Sequence, residues 1–323
     1  FFYPISIDKK EEILEKCREL GISGICSITS DYASPTVNFV ARKLGLVCNP
    51  EESETLTRDK YEMRCALRDA GVYTPRFVKT SGDFTPDMVE GFHYPLIVKP
   101  TDRWSGKGIT RIENESEIVP AIQRALEESF DKQVIIEEFM DGEEYSTQCI
   151  CLNGEYHILS FIRSCITGNP YCILHEHFVP SGLSEEKKKE CEFVFKKALQ
   201  ALKIRNGAAH IQYKILSDGT IGIIEIGARM GGDCLGIYLT PMDTGLDFIE
   251  MVINVACGKP VSFEKTMEMR QAKVQYIVNA SEYADFIKYK QQGDVIAYGE
   301  IDTDFKPDDL AKSIRHGFYI INK

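Results

Sequence analysis

The residues His210-Ile211-Gln212-Tyr213-Lys214-Ile215-Leu216 and Thr220-Ile221-Gly222-Ile223-Ile224-Glu225-Ile226 read as two strands joined through Ser217-Asp218-Gly219. Asp-Gly is a favoured pair for a two-residue type I′ loop. Such a loop pairs Ser217 with Thr220 and sets Gln212 directly opposite Glu225. Directly opposed residues point to one face with Cβ atoms roughly 4.5–5.5 Å apart. An amide oxygen and a carboxylate at that spacing can share a hard divalent cation, and a one-residue slip would separate them. The plain alternative is a surface hairpin carrying two polar residues on its wet face. Against it, Glu225 lies in an apolar run, where a buried carboxylate needs a partner. Gly227-Ala228-Arg229-Met230-Gly231-Gly232 follows at once, bringing a cation and flexible backbone beside the candidate metal site.

A second segment, about a hundred residues earlier, supplies positive charge. Tyr94-Pro95-Leu96-Ile97-Val98-Lys99-Pro100 reads as an apolar strand ending in a lysine that can project into a cleft. A strand-end lysine can equally snorkel at a surface. The following Trp104-Ser105-Gly106-Lys107-Gly108 offers backbone N–H groups, a hydroxyl and a second cation, a composition able to close over phosphates. It lacks the G-x-x-x-x-G-K-[ST] spacing of a Walker A loop. Val134-Ile135-Ile136-Glu137-Glu138-Phe139-Met140 is a strand leading to a short linker. Its backbone could read a flat purine edge, Phe139 and Met140 could wall a pocket, and the acids of Asp141-Gly142-Glu143-Glu144 could hold ribose hydroxyls. Read alone, it is an ordinary strand with an acidic turn.

These groups need elements to hold them. Residues 1–50 read as an αβαβ unit of a parallel sheet. Asp8 and Glu11 suggest a capping box for a first helix ended by Gly21. Gly24–Thr29 and Leu46–Cys48 read as strands around a helix Pro35–Leu44. A connecting helix follows over 51–72. Strands are predicted at Phe77–Lys79, Leu96–Lys99, Gly108–Ile112, Val134–Phe139 and Tyr145–Leu152, with a turn at Asn153-Gly154. Helices are predicted at Ser116–Ser129, Glu185–Leu202 and Leu246–Cys257. Residues 261–323 read as short strands with a helix near Pro307–Ile314.

The chain has 323 residues, 43% of them hydrophobic and 27% charged, which is the composition of a globular protein with a large core. Its net charge of −11 argues against a general nucleic-acid binder. No run of 18 apolar residues predicts a membrane span. Phe1-Phe2-Tyr3-Pro4 lacks signal-peptide features, and the start reads as the middle of a domain. Eleven scattered cysteines, with no C-x-x-C, point to reduced thiols and a cytoplasmic setting.

In order and spacing these pieces together resemble the ATP-grasp superfamily, closest to its carboxylate–amine ligase branch, the carbamoyl-phosphate-synthase-like and L-amino-acid-ligase-like proteins. The resemblance implies an α/β (α+β ATP-grasp) fold. An incomplete parallel-sheet pre-ATP-grasp domain (1–50) and a connecting helix (51–72) would precede a two-lobed core with nucleotide between the lobes. The small lobe would span 73–139, the large lobe 140–260 and a C-terminal subdomain 261–323. It implies ATP and Mg²⁺, or Mn²⁺ in its place. Lys60 and Lys99 resemble the two nucleotide lysines. Ser105, Gly106, Lys107 and Gly108 resemble the mobile phosphate loop. Glu137, Glu138, Phe139 and Met140 resemble the adenine hinge, and Glu144 the ribose acid. Gln212 and Glu225 resemble metal ligands. Arg229 resembles the cation that stabilises an acyl phosphate, with Lys99 and Lys107 as catalytic cations. Two positions depart from the pattern: many members carry Glu or Asp at position 212, and a metal-binding Asn where Gly227 stands. A second metal is therefore open.

What this implies is ligation: a carboxylate attacks the γ-phosphate of ATP, and an amine then displaces phosphate from the mixed anhydride. The partners implied are small-molecule carboxylate and amine substrates, with no nucleic acid and no membrane; a homodimer is a family-level expectation. For the substrates, Arg163 is placed ahead of His175 and His177, which lack zinc-site spacing. Asp233 could bind the amine or cap a helix. Two other functions stay open: an ATP-binding regulatory module without turnover, and a phosphotransferase acting on a non-carboxylate acceptor.

Overall fold

Two antiparallel sheets carry the groups singled out above. The computed structural model describes residues 1–103, 106–166, 174–306, 309 and 314–322. In chain order its elements are α1 (Lys10–Leu20), α2 (Ser34–Leu44), α3 (Glu52–Arg58), α4 (Lys60–Asp69), β1 (Phe77–Thr80), β2 (Leu96–Pro100), β3 (Thr110–Ile112), α5 (Ile118–Glu128), β4 (Val134–Glu138), β5 (Gly142–Leu152), β6 (Glu155–Ile166), β7 (Leu174–Val179) and α6 (Glu185–Ala201). They continue with β8 (Gly207–Leu216), β9 (Ile221–Gly227), a π-turn at Leu235–Leu239, α7 (Thr240–Thr244), α8 (Phe248–Ala256), β10 (Ala272–Tyr276), α9 (Ala280–Gln292), β11 (Val295–Tyr298) and β12 (Phe318–Asn322).

The small sheet runs β1-β4-β2-β3. Alternation along β2 and β4 sends Leu96, Val98, Val134 and Ile136 to one face, where Ile118, Ala121, Ile122 and Ala125 of α5 cover them. Each such aliphatic side chain withdrawn from water contributes about 1.5–3 kcal/mol. The opposite face is left with Lys99 and Glu137, both nearly inaccessible. The large sheet runs β11-β12-β10-β7-β6-β5-β8-β9. One face of its central strands buries Tyr213, Ile211, Ile223 and Ile226 against Phe195 and Leu199 of α6 and Met63 and Leu67 of α4. The helix α4 thus serves both sheets: Met63 and Leu67 fill the large-sheet core while Arg64 reaches the small sheet.

Several expectations need correction. The predicted strands at Gly24–Thr29 and Leu46–Cys48 have no ladder partner, and residues 1–50 contain no strand. Backbone packing takes the place of a ladder: a Cβ on Gly24 would sit 2.5 Å from the Ala256 carbonyl oxygen. Every strand pairing among the described residues is antiparallel. Asp8 does not cap α1, since its carboxylate takes the Ser6 hydroxyl. The connecting helix over 51–72 is two helices, broken at Asp59, whose extended backbone lets its carboxylate cap α4 through the Tyr61 and Glu62 N–H groups. The helix expected near Pro307–Ile314 falls mostly outside the described residues. The structure instead has α9, missed in the sequence although Asn279 accepts the Glu282 N–H and the Glu282 carboxylate reaches back to the Val278 N–H. The Asn153-Gly154 turn is as expected, with both residues at positive φ between β5 and β6.

Candidate nucleotide and metal site

The hairpin β8–β9 sets Gln212 opposite Glu225, by a different route from the one the turn predicts. Leu216 and Thr220 close the loop, so three residues, Ser217 to Gly219, form the turn, with Gly219 at φ 86°. That is the three-residue hairpin loop ending in a left-handed residue. The pairs Tyr213–Ile223, Lys214–Gly222 and Ile215–Ile221 are accordingly one residue out of the expected register. A bulge at Ile224 then inserts one residue and restores the pairing at Gln212–Glu225, Ile211–Ile226 and His210–Gly227. Two departures cancel at the position that matters. Without the bulge, Glu225 would turn toward the apolar core under α6.

The bulge leaves the Ile224 carbonyl turned out of the ladder, and Arg64 Nη2 donates to it at 2.9 Å. Arg64 is 1% exposed, and its Nε also donates to Glu137 Oε1 at 2.5 Å. The other Glu137 oxygen meets Lys99 Nζ at 2.5 Å. A single buried guanidinium thus ties the small sheet to the strand that carries Glu225. Burial would raise the Glu137 carboxyl, but Arg64 and Lys99 outweigh it and hold it at about 2. Lys99 is pushed down from its ordinary value, by burial first and by the Arg64 and Lys60 charges, despite Glu137. We read the pair as ionised, in a pocket that holds more positive charge than its one buried acid balances. Lys60 Nζ donates to the Arg103 carbonyl at 2.5 Å and lies 3.6 Å from Glu225 Oε1. Lys60, Lys99, Glu137 and Glu225 therefore belong to one charged cluster.

Gln212 Nε2 donates to Glu144 Oε1 at 2.6 Å. That bond turns the amide nitrogen toward Glu144 and leaves the amide oxygen as the ligand-type atom. Burial pushes the Glu144 carboxyl up, offset by Gln212 and Lys214. Among the described residues no group of three or more His, Cys, Asp or Glu side chains could by itself hold a metal. The donor set here, one carboxylate and one amide oxygen, suits a hard cation that takes its remaining ligands from phosphate and water.

Beyond Glu144 the face becomes apolar. Met140 Sδ lies over Gly222, where a Cβ would approach to 2.5 Å, and the Tyr73 ring sits against the same spot. Phe139 is less open than expected, because Lys214 Nζ and the Arg111 guanidinium each lie 4.5 Å from its ring centre. The Glu138 carboxylate is engaged by the His93 N–H, and its own N–H by the Arg76 carbonyl. Its backbone donor is therefore already used within the small sheet. Gly106 and Lys107 are exposed, Gly108 has φ 71°, and Ser105 and Trp104 lie outside the described residues.

In the other direction the same face carries buried polar groups. Gln148 bridges the His210 ring and the Gly231 N–H, each at 2.8 Å, and Ser164 meets His177 Nδ1 at 2.9 Å. His177 is 1% exposed, and its Nε2 has no hydrogen-bond partner among the described residues. Burial holds it at about 4 and pushes His210 well below its ordinary value, so both rings are neutral near pH 7. Arg229 holds Asp31 through two bonds, Nε to Oδ1 at 2.9 Å and Nη2 to Oδ2 at 2.5 Å.

The substrate assignments fare less well. Arg163 pairs across the sheet with Tyr145, which stacks on Tyr213 in the α6 core, so it belongs to the opposite face from Gln212 and ion-pairs with Glu143. His175 is held by Glu282 and Gln275 of the C-terminal segment. Asp233 caps no helix among the described residues; it pairs with Arg315 at 2.9 Å, and both it and Cys234 adopt positive φ. The sequence reading passed over Arg64, Asp31, Lys214, Tyr73, Gln148 and His210. Arg64 stands four residues after Lys60 on one helix face, and His210 two before Gln212 on one strand face, so both were legible. Asp31 has no local signal.

Residues 92–237 match the family model described as ATP-grasp domain. The alanine–anticapsin ligase of Bacillus subtilis (strain 168) is 29% identical over 273 residues, covering 76% of this chain and 56% of that protein. The chain spans just over half the length of the curated relatives it matches first. The crystal structure of an L-amino acid ligase from Bacillus licheniformis superposes with a TM-score of 0.79 at 23% identity, covering 98% of this chain and 79% of that one. An N5-carboxyaminoimidazole ribonucleotide synthetase, solved as its ADP complex, gives 0.76 at 17% identity over 99% of this chain and 80% of its own. The chain therefore carries an ATP-grasp domain, set within a fold that it shares along almost its whole length with these two solved structures.

Proposed function

We propose that this chain forms an ATP-dependent carboxylate–amine ligase, making an amide or peptide bond with release of ADP and phosphate. The observation that carries the reading is one charged cleft: Gln212 and Glu225 paired on one face, Glu225 3.6 Å from Lys60, and Lys99 tied to the same strand through Glu137 and Arg64. The likeness to ligases supports the reaction class.

Glu225 and the Gln212 amide oxygen would hold Mg²⁺, or Mn²⁺ in its place. When bound, that ion neutralises phosphate oxygens and so lowers the barrier to phosphoryl transfer. Met140, Tyr73 and Gly222 would wall the adenine, with the second Glu144 oxygen and Lys214 near the ribose end. Lys60 and Lys99, with Lys107 of the exposed loop, would meet the phosphates. A carboxylate oxygen of the substrate attacks the γ-phosphorus, the bond to the bridging oxygen breaks, and ADP leaves. An amine nitrogen then attacks the acyl carbon, the C–O bond to phosphate breaks, and the amine gives up a proton. Arg229 suits this second step, because a guanidinium offers paired donors to an acyl phosphate. His177, Gln148 and His210 replace Arg163 and His175 as the polar wall toward the acceptor.

The boundaries 1–50, 51–72, 73–139, 140–260 and 261–323 are part of the same proposal, as is a homodimer. All described cysteines are free thiols, which supports a reducing compartment such as the cytoplasm. No helix among the described residues is long and apolar enough to cross a membrane. The test is a screen of paired acids and amines for ADP and phosphate. ADP that requires both partners is the expected result. AMP with pyrophosphate, or no ADP with any pair, would overturn the reading.

A further inference from the structure

Arg229 is the cation proposed to face the reacting acyl group, and a guanidinium can serve that role only if one edge is fixed and another presented. In this structure the fixed edge is accounted for in full. The Nε and one Nη2 proton go to Asp31, at 2.9 and 2.5 Å, and one Nη1 proton goes to the Met230 carbonyl at 3.2 Å. One proton on Nη1 and one on Nη2 are left over by these three contacts. Asp31 comes from residues 1–50, far from Arg229 in sequence, and both side chains are about 15% exposed.

The space for this pair depends on residue 227. A Cβ on Gly227 would lie 2.8 Å from Asp31 Oδ1, 3.2 Å from Arg229 Cζ and 3.3 Å from Arg229 Nε. Gly227 has no positive φ, so backbone freedom is not what requires glycine there. What it supplies is room for the Asp31 carboxylate. Gly227 is also the strand partner of His210 and two residues from Glu225, so the pair sits at the end of the metal-bearing strand.

We propose that Asp31 is a positioning residue for ligation: it clamps the Nε edge of Arg229 so that the Nη1/Nη2 edge meets the substrate's activated carboxyl group, and Gly227 makes space for the clamp. This assigns residues 1–50 a part in the chemistry. The inference rests on the ligase reading, and its test separates the two.

The first measurement needs no substrate. In the full protein labelled with ¹⁵N-arginine, Arg229 Nε–H, assigned with Arg229→Lys, should exchange slowly. That protection should vanish in Asp31→Ala and in Gly227→Ala, while Asp31→Glu retains part of it. An Arg229 Nε–H that exchanges as fast as an exposed arginine's in the unmutated protein overturns the clamp, whatever the enzyme does. The second measurement uses hydroxylamine as the amine, with ATP, Mg²⁺ and a panel of amino acids, and reads hydroxamate and phosphate. A 1 Å misplacement of a reacting group can cost on the order of 100-fold. Asp31→Ala should lower kcat for hydroxamate by roughly that factor while KM for ATP stays within about threefold. It should also raise phosphate released per hydroxamate. Gly227→Ala should act alike, and the double variant should be no worse than either single one. A kcat unchanged or raised in Asp31→Ala would overturn the clamp, a rise meaning that Asp31 blocks Arg229. No hydroxamate from the unmutated protein with any acid would count against the ligase reading, and the exchange measurement would still decide the clamp.

Discussion

Glu225 is the carboxylate whose loss should separate binding from chemistry. Its ion-pair partner Lys60 stays in place in Glu225→Gln, and the shape is kept, so ADP affinity should remain measurable while turnover falls on the order of 100-fold or more. Equal losses in both would mean that Glu225 serves folding of the cleft. The buried His177 makes a second, pH-dependent prediction. Its ring is held at about 4 in the fold, below the ordinary 6.5, chiefly by burial. The unfolded chain therefore binds the proton more readily, and the stability this group contributes is complete above about 6.5 and lost as pH falls toward 4. His177→Gln should flatten urea-derived stability across that window, and an unchanged slope would show that His177 titrates alike in the folded and unfolded chain. Residue type at strand positions pointed to Lys99, Gln212 and Glu225, and the family resemblance to Lys60; the structure gathers all four in one charged cluster. The structure does not bring Arg163 and His175 to that cluster, because which sheet face a side chain takes depends on pairing, with Arg163 paired to core-facing Tyr145, and Glu282 and Gln275 hold His175.

The bulged hairpin is the element on which the site turns. Asp218-Gly219 and the alternating Ile residues announced a hairpin, but they could not announce a three-residue loop followed by an inserted Ile224. The opposition of Gln212 and Glu225 was legible in outcome while its route was not. What fixes the bulge lies outside the hairpin, in the Arg64 donor to the Ile224 carbonyl. Arg64→Met would strand Glu137 with Lys99 alone in a buried pocket, and breaking a buried pair costs about 3–5 kcal/mol. We expect a lowered Cm in urea together with loss of metal-dependent ADP binding in the fraction that stays folded. Retained metal dependence would show that the bulge holds without Arg64. The exposed loop around Gly106 and Lys107 belongs to the same scale. Trp104, the only tryptophan, stands in its sequence. Its fluorescence should change when Mg-ATP binds, and an unchanged signal with binding demonstrated by another method would contradict loop closure.

Across the whole molecule, the two sheets meet through α4, which gives Met63 and Leu67 to the large-sheet core, Arg64 to the small sheet and Lys60 to the strand that carries Glu225. The periodicities of strands and helices made most of 73–260 legible, since one face of each strand is apolar and α5 and α6 are amphipathic. Within residues 1–50 the two helices were legible, but Gly24–Thr29 and Leu46–Cys48 were misread as strands because short apolar runs do not specify a ladder, and here the Gly24 backbone packs beside α8 instead. The Asp31–Arg229 contact was invisible for a related reason: 198 residues separate its partners, and only the folded chain brings them together. The account stands on one placement, a divalent ion between two paired strands with phosphates reaching the lysine of the other sheet. Anomalous diffraction from crystals of the full protein grown with Mn²⁺ and ADP tests it most directly. The account predicts a manganese peak ligated by the Glu225 carboxylate and the Gln212 amide oxygen, with the diphosphate against Lys99. A bound ADP whose metal peak lies away from both residues, or whose phosphates do not reach Lys99, would contradict it.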